Sequence, residues 1–139
     1  MRVSLLLADY AVVSEGKLHV MGAGWTNIGP NGAPTALALL IEVPWDRTNE
    51  PMEMRLELID DDGRPLIVST QNGEEPLQIR HRFEAGRPPG VRRGDAIRLP
   101  FAFNFPPIPM QPGRGYTWRL WIDDTTDEDW GVSFRTLGG

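Results

Sequence analysis

The sequence predicts an all-β protein: a single-domain antiparallel β-sandwich of eight or nine strands over residues 1–139. Three observations predict it. Apolar and polar residues alternate with period two through most of the chain, which puts every second side chain on one buried face of a strand. Glycine or proline stands in nearly every connection, with fifteen glycines and thirteen prolines in all, and these residues punctuate short strands. No segment reads convincingly as a helix. Several short strands at this spacing fit an immunoglobulin-like or jelly-roll-like arrangement, with a closed β-barrel as the alternative.

The organising stretch is residues 37–66. Leu37, Leu39, Ile41, Val43 and Trp45 fall on one face of a first strand, and Met52, Met54, Leu56 and Leu58 alternate with Glu53, Arg55 and Glu57 in a second that ends at Asp60. Before it, residues 3–7 read as a strand, and residues 8–17 as a loop whose Glu15-Gly16 pair suits a turn with positive φ. Another strand starts at Leu18 and runs through Val20 toward Trp25, weakened by Gly22 and Gly24. Residues 29–34, GPNGAP, are a loop by composition.

After the turn Asp61-Asp62-Gly63-Arg64, a short strand near residues 66–69 leads into a polar loop, 71–75. Leu77, Ile79, His81 and Phe83 then share one face of a strand, with Gln78, Arg80, Arg82 and Glu84 on the other. Residues 86–94, GRPPGVRRG, are too rich in proline and glycine for regular structure. Ile97, Leu99, Phe101, Phe103 and Phe105 line the next strand and are expected to form a large part of the core. Four prolines in residues 106–115 precede a strand over 116–122, and an acidic loop, 123–129, precedes a last strand carrying Trp130, Val132 and Phe134.

Composition excludes several chemistries. The chain has no cysteine, so it forms no disulfide, thiolate metal site or cysteine nucleophile. Fourteen basic against nineteen acidic residues give a net charge of -5, the wrong sign for a nucleic-acid or anionic-membrane surface. Asp9 ends the first apolar run too early for a secretory core of about 7–15 residues. No run approaches the roughly 18 apolar residues of a membrane span. The expected setting is the cytoplasm, with no cofactor.

The segments LLLAD (5–9), GKLHVMGAGW (16–25), LLIEVPWDRTNEP (39–51), LELIDDDGRPL (56–66), GRPPG (86–90) and PGRGYTWRLWID (112–123) together resemble an uncharacterised bacterial, mainly actinobacterial, family of small β-rich proteins described as a domain of unknown function. The resemblance covers essentially the whole chain. It implies a single β-rich domain and brings no catalytic or binding residues.

Candidate sites follow from residues alone. Asp60, Asp61 and Asp62 close one strand, and Asp123, Asp124, Asp127, Glu128 and Asp129 follow another. If successive strands alternate in direction, both loops reach the same end of the sandwich, beside Arg87, Arg92 and Arg93. Asp60, Asp62, Asp123, Asp127 and Asp129 could then hold Ca²⁺, which takes six to eight oxygens. Asp is equally an ordinary turn residue, the arginines could pair with the acids, and the spacing matches no calcium loop. His81 falls on an apolar face as a hydrogen-bonded core residue, and His19 points outward. Neither lies near a nucleophile motif, so a non-catalytic role is expected. Trp45, Trp118 and Trp130 read as core, while Trp25 is undecided.

Trp121 lies out of phase with Tyr116, Trp118 and Leu120, on the face that carries Thr117 and Arg119. Leu6, Leu40 and Ile59 are likewise out of phase, so a single core leaves them partly exposed. Trp121, Arg119, Leu40 and Ile59 are therefore the candidate interface of a protein-interaction or structural module that binds a partner protein or, as a homo-oligomer, itself. The alternative is a small-ligand or carbohydrate-binding sandwich that uses Trp121 or calcium at the acidic loops. Residues 106–112, PPIPMQP, serve either as a recognition segment or as a stiff connection.

Overall fold

Alternation becomes strand pairing throughout the computed structural model, which describes residues 1–30 and 32–138. Asn31, in the loop expected over 29–34, lies outside the described residues. The strands are β1 (Arg2–Ala8), β2 (Tyr10–Ser14), β3 (Lys17–Met21), β4 (Asn27–Ile28), β5 (Thr35–Val43), β6 (Met52–Asp60), β7 (Ile67–Thr70), β8 (Gly73–Pro76), β9 (Gln78–Phe83), β10 (Ile97–Phe105), β11 (Gly115–Ile122) and β12 (Gly131–Thr136). One 3-10 turn, Trp45–Arg47, follows β5, and no helix among the described residues is long and apolar enough to cross a membrane.

The strand count exceeds the expected eight or nine because β2, β4 and β8 carry little pattern. β2 and β3 form a hairpin in which Ser14 faces Lys17 across a two-residue turn. Its Glu15 and Gly16 have φ of 54° and 71°, the double positive φ of a type I′ turn, whose twist matches the strands. β8 is solvent-exposed along its whole length, so it has no buried face to alternate. The run toward Trp25 stops at Met21, because Gly22 takes a φ of 66° and packs so closely on the Asp9 carboxylate that a Cβ there would collide with it.

Two sheets pack face to face. One has the order β1-β5-β10 and the other β4-β12-β11-β6-β9. Both end in free edges, so neither closes into a barrel. Lettered A to G, the seven strands of six or more residues (β1, β5, β6, β9, β10, β11, β12) form sheets A-B-E and G-F-C-D. This is an immunoglobulin-like arrangement, with the fourth strand moved from the A-B-E sheet to pair with the third.

The core lies between the sheets. Leu37, Leu39, Ile41 and Val43 of β5 face Met52, Met54, Leu56 and Leu58 of β6 and Tyr116, Trp118, Leu120 and Ile122 of β11, and all twelve are buried. The row from Ile97 to Phe105 is only half-buried, because β10 is an edge strand. Phe105 still stacks on Trp118 with ring centroids 5.0 Å apart. Trp25 and Trp130 pack half-buried against the core.

Two expectations are corrected. Trp45 leaves the core: the strand ends at Val43, and the indole sits on the 3-10 turn under the Arg87 guanidinium, 3.8 Å from the ring centre. Arg87 also donates to the Thr48 hydroxyl and the Trp45 carbonyl, which pins the crossover between the sheets. His81 is exposed, because β9 is an edge strand, and its ring packs edge-on against Phe101.

Two side chains hold the periphery. Gln111 N–H donates to the Tyr116 hydroxyl at 2.9 Å. Tyr116 stands near the start of the sixth long strand and reaches back five residues, as the tyrosine corner of immunoglobulin-like sandwiches does. Asn104 binds both backbone groups of Ala11, accepting from its N–H at 3.1 Å and donating to its carbonyl at 2.7 Å. These bonds dock the β2–β3 hairpin across the outer face of the first sheet, where Ala8, Ala11, Ala36 and Ala38 form a second, small core. Only short side chains allow strands to approach so closely.

Tyr116→Phe is expected to destabilise the fold by about 1–3 kcal/mol, since it strands a part-buried N–H, as measured by urea unfolding. Asn104→Ala is expected to speed amide exchange at Ala11 at least tenfold while the β6 and β11 amides stay protected.

Candidate functional site

Alternation carries one set of side chains out of each sheet, and those outward faces hold the candidate interface residues, while the acidic candidates lie in the turns at the strand ends. On the second sheet, Trp121 lies opposite Arg55, which in turn lies opposite Arg80. Two arginines facing each other across strands repel. They are compensated on all sides: Arg55 sits 4.3 Å from the centre of the Trp121 ring and pairs with Glu57, and Arg80 lies 3.5 Å from Glu53. Glu53, Arg55, Arg80, Trp121, Asp123 and Asp124 line an open polar basin of about 280 Å³. Trp121 is thus half-buried, with one ring face covered by a guanidinium.

Arg119 lies on the same face, and its guanidinium donates to the Asp127 carbonyl at 3.0 Å. Ile59 is half-buried beside Thr117, farther along the same sheet. Leu40 belongs to β5, on the outer face of the other sheet. The expected quartet is therefore split: Trp121, Arg119 and Ile59 share one outer face, and Leu40 looks out from the opposite side of the sandwich.

The two acidic loops do not converge. Tyr116 pairs with Asp60 and Ile122 with Met54 along antiparallel β6 and β11, so the Asp60 and Asp123 turns sit at opposite ends of the pair. At about 3.4 Å per residue they are roughly 20 Å apart. Arg87 belongs to the Asp123 end, since its partners Trp45 and Thr48 adjoin Arg47, which reaches Asp123 at 3.3 Å.

Most of these carboxylates hold the backbone. Asp60 Oδ1 accepts from the N–H groups of Asp62 and Arg64 while Oδ2 faces Arg114 at 3.3 Å. Asp61 accepts from the Gly115 N–H, and Asp62 lies 3.4 Å from Arg114. Asp123 and Asp124 adopt φ of 50° and 64° in a type I′ turn, and Asp123 clamps Glu53 through both its N–H and its carboxylate. Asp127 accepts from the Asp129 N–H. Among the described residues no cluster of three or more acidic or histidine side chains could hold a metal ion. Asp60 and Asp62 thus belong to one turn, and Asp123, Asp127 and Asp129 to the loop at the other end of the pair, so the five do not gather around one point.

The Asp60 carboxyl is held below its ordinary value, chiefly by the Arg64 N–H and against the effect of burial, with further help from the Asp62 N–H and the charges of Arg114 and Arg64. Its stabilising contribution is therefore complete above the unfolded pKa of about 4 and is lost as pH falls through the lowered folded value.

The first sheet presents a different surface. Pairing sets Arg2, Glu42 and Arg98 in one row across β1, β5 and β10, and Ser4, Leu40 and Pro100 in the next. Leu6 and Leu40 stand diagonally adjacent, 45% and 36% exposed. The three charged side chains of the neighbouring row form no ion pair among the described residues. On the hairpin above, Tyr10 and Met21 pair and point outward, 48% and 66% exposed. Sequence reasoning found Leu6 and Leu40 through their phase. It missed Arg2, Glu42, Arg98, Tyr10 and Met21, because membership of that surface depends on strand order and on the hairpin.

The chain belongs to a family of unknown function, DUF6941, whose model matches residues 3–133. No curated protein matches it.

Asp60→Asn is expected to flatten the fall in unfolding free energy as pH drops below about 4, because the titrating group is gone. Urea titrations at a series of pH values, beside those of the unmodified chain, measure this slope.

Proposed function

We propose that this member of a family of unknown function is a non-catalytic protein-interaction module that associates with a second copy of itself. The contact is the outer face of the β1-β5-β10 sheet. One observation carries the reading: exposed Leu6 and Leu40 adjoin a row, Arg2, Glu42 and Arg98, whose charges have no partner within the chain among the described residues. A two-fold contact brings the same patch to itself. A row of alternating sign suits such a contact, since an arginine of one copy can face Glu42 of the other. The apolar pair supplies the desolvated centre and the charges the rim.

A non-catalytic role is supported by the scattering of the acid–base groups. His19 lies on the β2–β3 hairpin and His81 on β9, both exposed, and among the described residues neither side chain hydrogen-bonds to a potential nucleophile. General acid–base catalysis requires positioned partners. A cytoplasmic setting accompanies the reading, because a chain without cysteine gains nothing from an oxidising compartment.

A second reading, a small-ligand or carbohydrate site, is favoured by the polar basin around Trp121. It ranks below the first because Arg55 already occupies one face of that ring.

Burying a leucine contributes roughly 2 kcal/mol. Leu40→Asp counts twice in a two-fold contact and is expected to weaken association by on the order of 4 kcal/mol, a factor of about 10³. Sedimentation equilibrium should show a dimer for the unmodified chain and for Trp121→Ala, and a monomer for Leu40→Asp. A dimer lost on Trp121→Ala but kept on Leu40→Asp overturns the choice of face.

A further inference from the structure

A cleft of about 420 Å³ opens between the β7–β8 hairpin and the proline-rich loop after β10. Its walls are Ile67, Val68 and Ser69 on one side and the segment from Phe105 to Pro109 on the other, with Leu77 between them. Side chains of a strand alternate. Three consecutive residues along one wall therefore mean that the cleft meets β7 along its edge.

That edge is unpaired. In the hairpin, Ile67 faces Pro76, Val68 faces Glu75 and Ser69 faces Glu74. Pro76 has no N–H, so Ile67 and Pro76 form a non-hydrogen-bonded pair. Antiparallel pairs alternate, so Val68 exchanges both bonds with Glu75, and the N–H and carbonyl groups of Ile67 and Ser69 point away from β8. Among the described residues, neither residue bonds elsewhere through its backbone. The opposite wall offers no competing donors at Pro106, Pro107 and Pro109, while Phe105 and Ile108 supply apolar surface. Ile67 is 48% exposed beside it.

Charge narrows the occupant. Residues 66–79 carry Glu74 and Glu75 and no lysine or arginine, and residues 104–113 carry no charge. We propose that the free edge of β7 receives an extended segment of a partner protein as an added strand. Alternate apolar side chains of that segment enter the cleft, and its lysines or arginines, on the opposite face, complement the negative charge of the β7–β8 hairpin. Strand addition of this kind takes affinity from main-chain bonds and specificity from pockets for alternate side chains. The site shares no residue with the self-association face and stands whether or not copies associate there.

The probe is an end-blocked heptapeptide of alternating valine and lysine, with the valine–glutamate peptide as its counterpart, titrated into the full ¹⁵N-labelled chain. Binding of the lysine peptide is expected to shift amides of Ile67, Val68, Ser69, Leu77 and Ile108, to slow exchange at Ile67 and Ser69 at least tenfold, and to exceed binding of the glutamate peptide at least tenfold. Ser69→Pro removes only an outward N–H and is expected to abolish binding while the β6 and β11 amides keep their positions. No shifts at millimolar peptide, shifts confined to another sheet edge, equal binding of the two peptides, or undiminished binding to a folded Ser69→Pro protein would each overturn the proposal.

Discussion

The carboxamide of Asn104 holds both backbone groups of Ala11, and that pair decides how much of the first sheet meets solvent. Where the hairpin lies down, the outward side chains are Ala8, Ala36 and Ala38, buried as deeply as the leucines on the opposite face of β5. Where it ends, the outward side chains become Leu6, Leu40 and the charged row of Arg2, Glu42 and Arg98. A single strand is thus covered on both faces over one half and on one face over the other. The uncovered half is the surface proposed for self-association.

Much of this fold was legible in the sequence, for a reason that also sets the limit. β6 alternates cleanly because it has one face against the core, and the bounds of β6 and β10 match the sequence expectation. Leu37 to Val43, Met52 to Leu58 and Tyr116 to Ile122 were assigned to the core for the same reason. β2 carries no strand pattern in the sequence, because only Ala11 on it is buried and its cover is a side chain 93 residues away. β8 has no buried residue and left no signal.

The error over β8 propagated. Missing one strand between β6 and β11 inverts the direction assigned to everything after it, so the Asp60 and Asp123 turns were expected at one end and stand at opposite ends. The calcium expectation rested on that convergence. Trp45 and His81 failed differently: period two placed them in phase with core residues, but phase cannot say where a strand stops or that it lies at an edge. The phase of Leu40 and Trp121 did identify outward residues. That they look out from opposite sheets needed the pairing.

The most direct test of the central claim is an isotope-filtered nuclear Overhauser experiment on a mixture of ¹³C-methyl-labelled and unlabelled chains, which detects only contacts between copies. Intermolecular signals from the methyl groups of Leu6 and Leu40 to protons of Ser4, Leu40 or Glu42 of the second copy are the predicted result. A dimer whose intermolecular signals arise elsewhere, or a sample with none at millimolar concentration, would contradict it.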